Sequence, residues 1–137
     1  MNIDSIKEIV ENTPNLSTAL GMEFVSTPEE DTCAATMKVD ERNRQPFGIL
    51  SGGASLALAE YIAGVGSTAL CPGEVCVGMN VSGSHVKAVE EGDTVTAFAR
   101  LLSKGRKIHV WDVRITNSAG DLISTVHVTN YVITPNK

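Results

Sequence analysis

The chain has 137 residues, 42% of them hydrophobic and 20% charged, an ordinary composition for one domain that can bury a core without metal or disulfide staples. Eleven Lys and Arg against sixteen Asp and Glu give a net charge of -5, the wrong sign for a nucleic-acid or anionic-membrane binder, and one Trp, two Tyr and three Phe make a poor base-stacking platform. No apolar run reaches membrane-span length, and Asp4, Glu8 and Glu11 occupy a start that in a signal peptide would be basic and then apolar, so a cytoplasmic location is expected.

In chain order, Ser5 followed by Glu8 reads as a capping box, with Ile3, Ile6, Ile9 and Val10 at helical spacing until Pro14 stops the pattern. Leu20 to Thr27 and Thr32 to Val39 read as a first hairpin, joined by the acidic turn Pro28 to Asp31. A polar stretch from Asp40 to Ser51 precedes Gly52 to about Leu70, which lacks proline, is dominated by Ala, Leu, Ile and Val, and ends at Cys71 and Pro72. This segment is expected to be one long helix. Val75 to Val81, His85 to Val89, Thr94 to Leu102, Lys107 to Thr116 and Asp121 to Ile133 follow as strand-like segments separated by turn residues. No repeat, linker or low-complexity tract divides the chain, so residues 1–137 are expected to form one domain.

A 19-residue helix is about 28 Å long and a nine- or ten-residue strand about 30 to 34 Å, so one sheet can wrap one helix along its whole length. Leu56, Ala57, Leu58, Ala59, Ile62, Ala63 and Val65 fall on every side of that helix. A single sheet face cannot cover them all, which points to a second subunit or another layer. Cys33, Cys71 and Cys76 are odd in number and lack zinc-site spacing, so reduced thiols filling apolar space are expected, with no metal.

Within Gly52 to Gly66 the one carboxylate is Glu60, set in Ala-Leu-Ala-Glu-Tyr-Ile-Ala. Desolvation there penalises its charged form. An ordinary account would turn Glu60 to solvent at the helix edge or pair it with an arginine across an interface. Its surroundings suggest more. The turn-rich loop Gln45-Pro46-Phe47-Gly48-Ile49-Leu50-Ser51 runs straight into Gly52-Gly53-Ala54, where first-turn N–H groups lack intrahelical acceptors and can meet an anion or a polarised carbonyl oxygen. The Gly pair by itself is also what a tight loop-to-helix turn requires. Glu60 lies about 10 Å further along the same helix, so it can share a carbonyl with such a helix start only if a partner supplies one.

The run Q-P-F-G-I-L-S-G-G-A-S-L-A-L-A-E, Gln45 to Glu60, resembles the hotdog-fold acyl-CoA thioesterases of the phenylacetate-pathway and hydroxybenzoyl- or dihydroxynaphthoyl-CoA type, and the likeness extends over most of the chain. The resemblance implies an α+β hotdog fold, a curved antiparallel sheet around one long helix, assembled as a homodimer or homotetramer with active sites at the dimer interface. It implies hydrolysis of an acyl-CoA thioester with an aromatic or medium acyl group, CoA entering as substrate and no further cofactor. By position, Glu60 matches the carboxylate that attacks the thioester or activates water, Gly53 the residue whose N–H polarises the carbonyl, and Gln45 a side chain that orients substrate or water.

Two positions depart from the family pattern. Ser51 stands where close relatives carry histidine, and Gly64 where they carry serine or threonine one turn after the glutamate. Serine reaches less far than imidazole and does not titrate near neutrality. Ser51, Gly52 and Gly64 are retained as candidate site residues. For the CoA half, Arg100, Lys104, Arg106 and Lys107 form a basic stretch without an acid between Thr94 and Trp111, and Ser103 to Lys107 with Gly105 are candidates for the phosphates. A solvated basic hairpin tip is the alternative. Ser82 and His85 match a family stretch beside the pantetheine channel. His109 and His127 read as strand residues and Trp111 as core. Two other functions stay open: a non-catalytic acyl-CoA binding or sensing module, favoured by Ser51 and Gly64, and a hotdog dehydratase, which the lack of a histidine in the loop disfavours.

Overall fold

Two strands that precede the apolar run and four that follow it build a six-stranded antiparallel sheet, and the apolar run itself forms the helix that the sheet wraps. The computed structural model describes residues 1–135. In order, the elements are α1 (Asp4–Glu11), α2 (Leu16–Leu20), β1 (Met22–Val25), β2 (Thr32–Lys38), α3 (Gly52–Leu70), β3 (Val75–His85), β4 (Thr94–Lys104), β5 (Ile108–Thr116) and β6 (Leu122–Ile133). The sheet order is β1-β2-β4-β5-β6-β3, with every neighbouring pair antiparallel. This is the expected α+β hotdog architecture.

The sheet turns Val95, Ala97 and Ala99 of β4, Trp111, Val113 and Ile115 of β5 and Val126 and Val128 of β6 inward, all buried. They meet Leu58, Ala59, Ile62 and Ala63 of α3, which are 0% exposed. The helix packs tightly on the sheet at Gly66, where a Cβ would sit 2.6 Å from Trp111 Cη2 and 2.9 Å from Cys33 Sγ. Only glycine allows that approach. Cys33 is fully buried, and burial pushes its thiol up to about 12. The opposite side of α3, bearing Leu56, Ala57, Glu60, Tyr61 and Gly64, is only half-covered within one chain.

Three expectations need correction. Helix α1 begins at Asp4 on Ile3, without a side-chain cap; the capping box is at Asn15 and Thr18, where it starts α2. That short helix takes residues 16–19, left unassigned by the sequence, and Leu20, expected to open the first strand; β1 accordingly begins at Met22, after Gly21 at φ +85°. Val75 to Val81 and His85 are one strand, continuous through Ser82-Gly83-Ser84, with a register shift between Gly78 and Asn80. Ser82, Gly83 and Ser84, which read as a break, pair in regular register with His127, Val126 and Thr125, and Val86 to Val89 lie outside any strand.

β3 lies at the sheet edge, paired only with β6, and Val75, Val77 and Met79 on it are 51%, 41% and 58% exposed. Among the described residues no helix is long and apolar enough to cross a membrane.

Candidate active site

The loop before α3 is fixed by its backbone. Gln45 N donates to Ile49 O at 2.8 Å, Leu50 N to Val89 O at 2.8 Å and Ser51 N to Asn43 O at 3.0 Å. Ser51 is the N-cap, extended and with no side-chain capping bond; its carbonyl accepts the N–H groups of Ala54 and Ser55 at 3.0 and 3.2 Å. The N–H groups of Gly52 and Gly53 have no acceptor among the described residues, as first-turn donors do not. Gly53 is exposed, and a Cβ on it would meet only Ser51 Oγ, 3.8 Å away.

A cleft of about 330 Å³ opens beside this helix start, lined by Gln45, Gly52, Ser55, His85 and Ser124 among others. The His85 ring lies against Gly52, where a Cβ would come 2.8 Å from its Nε2. On its other side Nδ1 shares a 2.8 Å hydrogen bond with the buried Ser124 hydroxyl, which fixes the ring orientation. The imidazole missing at Ser51 is thus present nearby, from β3.

Glu60 is elsewhere. It lies half-buried in a second cleft of about 510 Å³, lined by Ile6, Ile9 and Val10 of α1, Tyr61, Gly64, Val65 and Thr68 of α3, and Cys76 and Gly78 of β3. A Cβ at Gly78 would overlap Glu60 Oε2. Among the described residues Glu60 makes no ion pair and no side-chain hydrogen bond, so no arginine of its own chain accounts for it, and its half-buried position is not that of a fully solvated helix edge. Burial, chiefly, and the nearby Cys71 push the Cys76 thiol up to about 11, which leaves it protonated at neutral pH.

The structure therefore brings Gln45, Gly52 and His85 together, with Ser51 and Gly53 beside them at the same helix start, and groups Glu60 with Gly64 in the other cleft. Ser82 is an exposed β3 residue opposite His127 and lines neither cleft. Ser103 and Lys104 end β4, and Gly105, Arg106 and Lys107 make the turn to β5; all five are exposed. Lys104, Arg106 and Lys107 have no ion pair among the described residues. Arg100 instead pairs with Glu29 at 3.0 Å and lies over Phe98.

Sequence reasoning missed Ser124, which holds His85, and the α1 wall of the Glu60 cleft. Ser124 is one of several hydroxyls in alternating strands, and only register singles it out. The α1 signal was available in Ile6, Ile9 and Val10, but an apolar helix face reads as core. His109 and Trp111 belong to a separate buried cluster. Trp111 Nε1 and Asn130 Nδ2 donate to Ser67 Oγ at 2.8 and 3.0 Å, filling its lone pairs, so its hydroxyl donates to His109 Nδ1 at 2.9 Å. His109 Nε2 then carries the proton and faces Cys71 Sγ at 3.7 Å. Among the described residues no group of three His, Cys, Asp or Glu side chains converges as a metal site would.

Comparison with known proteins adds the following. Residues 47–124 match the family model of the thioesterase superfamily. A putative esterase of Deinococcus radiodurans is 46% identical over 120 residues, covering 86% of this chain and 74% of that protein. The 1,4-dihydroxy-2-naphthoyl-CoA hydrolase of Escherichia coli is 37% identical, covering 76% of each. The crystal structure of a thioesterase from Haemophilus influenzae superposes with a TM-score of 0.86 at 35% identity, over 98% of this chain and 92% of that one.

Proposed function

The chain belongs to the thioesterase superfamily and is a thioester hydrolase; we propose that its substrate is an acyl-CoA with an aromatic or medium-length acyl group, and that Glu60 is the group that attacks it or activates water to do so. The observation that carries this reading is Glu60 itself, a half-buried carboxylate without a partner, walled by apolar side chains and by a glycine that makes room for it. A half-buried carboxylate that forms no pair among the described residues is free to meet a substrate as base or nucleophile. Attack on the thioester carbon moves charge onto the carbonyl oxygen. The free N–H of Gly53 is our oxyanion donor, a role worth about 2.7 to 4 kcal/mol of barrier in comparable sites. Gln45 and the Ser124-held His85 orient the thioester or the water beside it.

The working unit is a pair of chains. Gly53 and Glu60 are seven residues apart on one helix, about 10 Å, and Gly53 does not line the cleft that holds Glu60, so one chain's donor and its own carboxylate do not grip the same carbonyl. A second copy brings its helix start to Glu60. The half-covered side of α3 and the unpaired β3 edge with exposed Val75, Val77 and Met79 support such pairing. Lys104, Arg106 and Lys107, which form no ion pair among the described residues, are assigned with Ser103 and Gly105 at the same hairpin tip to the CoA phosphates. The Escherichia coli relative is named for an aryl-CoA substrate, which supports the CoA ester and the aromatic end of the range.

The test is thiol release from benzoyl-, hydroxybenzoyl-, phenylacetyl-, dihydroxynaphthoyl- and straight-chain CoA esters. Glu60→Gln and Glu60→Ala are expected to lose about 10²-fold or more in kcat while remaining folded. Hydrolysis by both variants at the parent rate removes Glu60 from the mechanism.

A further inference from the structure

Glu60, Gly64 and Thr68 are spaced four residues apart and form a row on one face of α3, about 12 Å long. Ile6, Ile9 and Val10 of α1 face that row across the 510 Å³ cleft. Two features of the cleft have no use in the fold itself. Ile9 is 64% exposed, although Ile3 next to the same helix is fully buried. A Cβ at Gly64 would meet nothing within 4 Å, so the floor of the cleft is open where one turn of helix follows the carboxylate. An uncovered isoleucine opposite an empty floor leaves an apolar trough that starts at Glu60. Among the described residues no Lys, Arg or His lines it.

We propose that this trough is the acyl-binding site and that α1, through Ile6, Ile9 and Val10, is the element that selects the acyl group, favouring uncharged chains of medium length. The proposal rests on Glu60 as the reacting carboxylate. A thioester carbon placed at Glu60 must send its acyl substituent away from the CoA side, and the trough begins there. At roughly 1.3 Å of advance per carbon–carbon bond, a 12 Å trough holds about eight to ten carbons. A terminal carboxylate on the acyl group would be desolvated without a counter-charge and would face Glu60, so dicarboxylic acyl groups are excluded.

The experiment measures kcat/KM for acetyl-, butyryl-, hexanoyl-, octanoyl-, decanoyl- and succinyl-CoA, and binding of the thioether octyl-CoA against CoA by calorimetry. For the parent, kcat/KM is expected to rise about fourfold per methylene up to octanoyl, with succinyl-CoA below butyryl-CoA. Ile9→Glu, at an exposed position that folding does not need, should cut the octanoyl-to-acetyl ratio and the octyl-CoA-to-CoA affinity ratio at least tenfold, by about the removal of two methylenes' worth of contact. Val10→Trp should move the optimum to shorter chains. Parent-like ratios in both variants, or octyl-CoA bound no more tightly than CoA, overturn the proposal. So does a change of oligomeric state in Ile9→Glu with unchanged ratios, which would put a second copy of the chain in the trough. Parent-like turnover in Glu60→Gln would sink the Glu60 assignment separately, because the α1 ratios are read on active protein and by binding.

Discussion

The Glu60 carboxylate occupies the space that a side chain at Gly78 would take: a Cβ there overlaps Oε2 and lies 3.1 Å from Cδ. A strand glycine is usually a weak point. Here it sits at the β3 register shift and gives the carboxylate its seat.

Gly78→Ala is therefore expected to displace Glu60 while leaving the fold intact, since the atoms it meets are the end of a flexible side chain. A displacement of about 1 Å at a reacting group costs on the order of 10²-fold in rate. Steady-state kinetics beside a thermal melt check this. A parent-like kcat would show that the seat of the carboxylate does not matter.

Gly53→Pro deletes the N–H assigned to the thioester oxygen without removing a bond of the helix, because that N–H has no acceptor among the described residues and proline is tolerated in a first turn. The expected loss is about 10² to 10³ in kcat, with far-UV circular dichroism unchanged. Mixed after co-refolding with Glu60→Gln, the two variants should regain about a quarter of parent activity under the proposed pairing, in which half of the dimers are mixed and each mixed dimer holds one intact site. No recovery would place both groups within one chain.

Ser67→Ala removes the shared partner of His109, Trp111 and Asn130. All three are buried, and a buried polar group left unpaired costs about 1 to 3 kcal/mol. The variant is expected to lose about 3 kcal/mol or more in urea denaturation, far above a typical surface substitution. A loss below about 1 kcal/mol would mean that water replaces the hydroxyl.

Burial, and secondarily Lys104, lower the pKa of His109 below its ordinary value, with Glu74 opposing. Protonation also needs a hydrogen on Nδ1, where the Ser67 hydroxyl already donates. The unfolded chain therefore binds this proton more readily than the folded one. Stability from neutral His109 is complete above the ordinary histidine pKa of about 6.5 and falls as pH drops below it. Urea midpoints at pH 8, 6 and 5 should decline in the parent and decline less in His109→Gln. Equal slopes would assign the acid sensitivity to other groups.

How much of this was legible varies by element. The limits of α3, Gly52 to Leu70, follow from uninterrupted apolar composition between Ser51 and Cys71-Pro72, and the three long strands from alternation and turn residues. The strand β3 did not, because Ser82-Gly83-Ser84 looks like a turn when its pairing with β6 is unknown. The short α2 did not, because five residues carry too little periodicity. In the site, Glu60 and the Gly52-Gly53 helix start stand out as local anomalies, an acid in an apolar run and a glycine pair before a helix.

The sequence by itself determined the chemistry on offer: one carboxylate on an apolar helix, unpaired helix-start amides, and a sheet long enough to enclose them, all set by residue type and near-neighbour spacing. Only the tertiary structure decided which of these groups share a space. It set His85 against Gly52 through Ser124, seated Glu60 on Gly78, and laid α1 along the open side of α3. Each of those contacts joins residues distant in the chain, and such contacts depend on strand register and helix placement, which minimise the free energy of the whole core and not of any local segment.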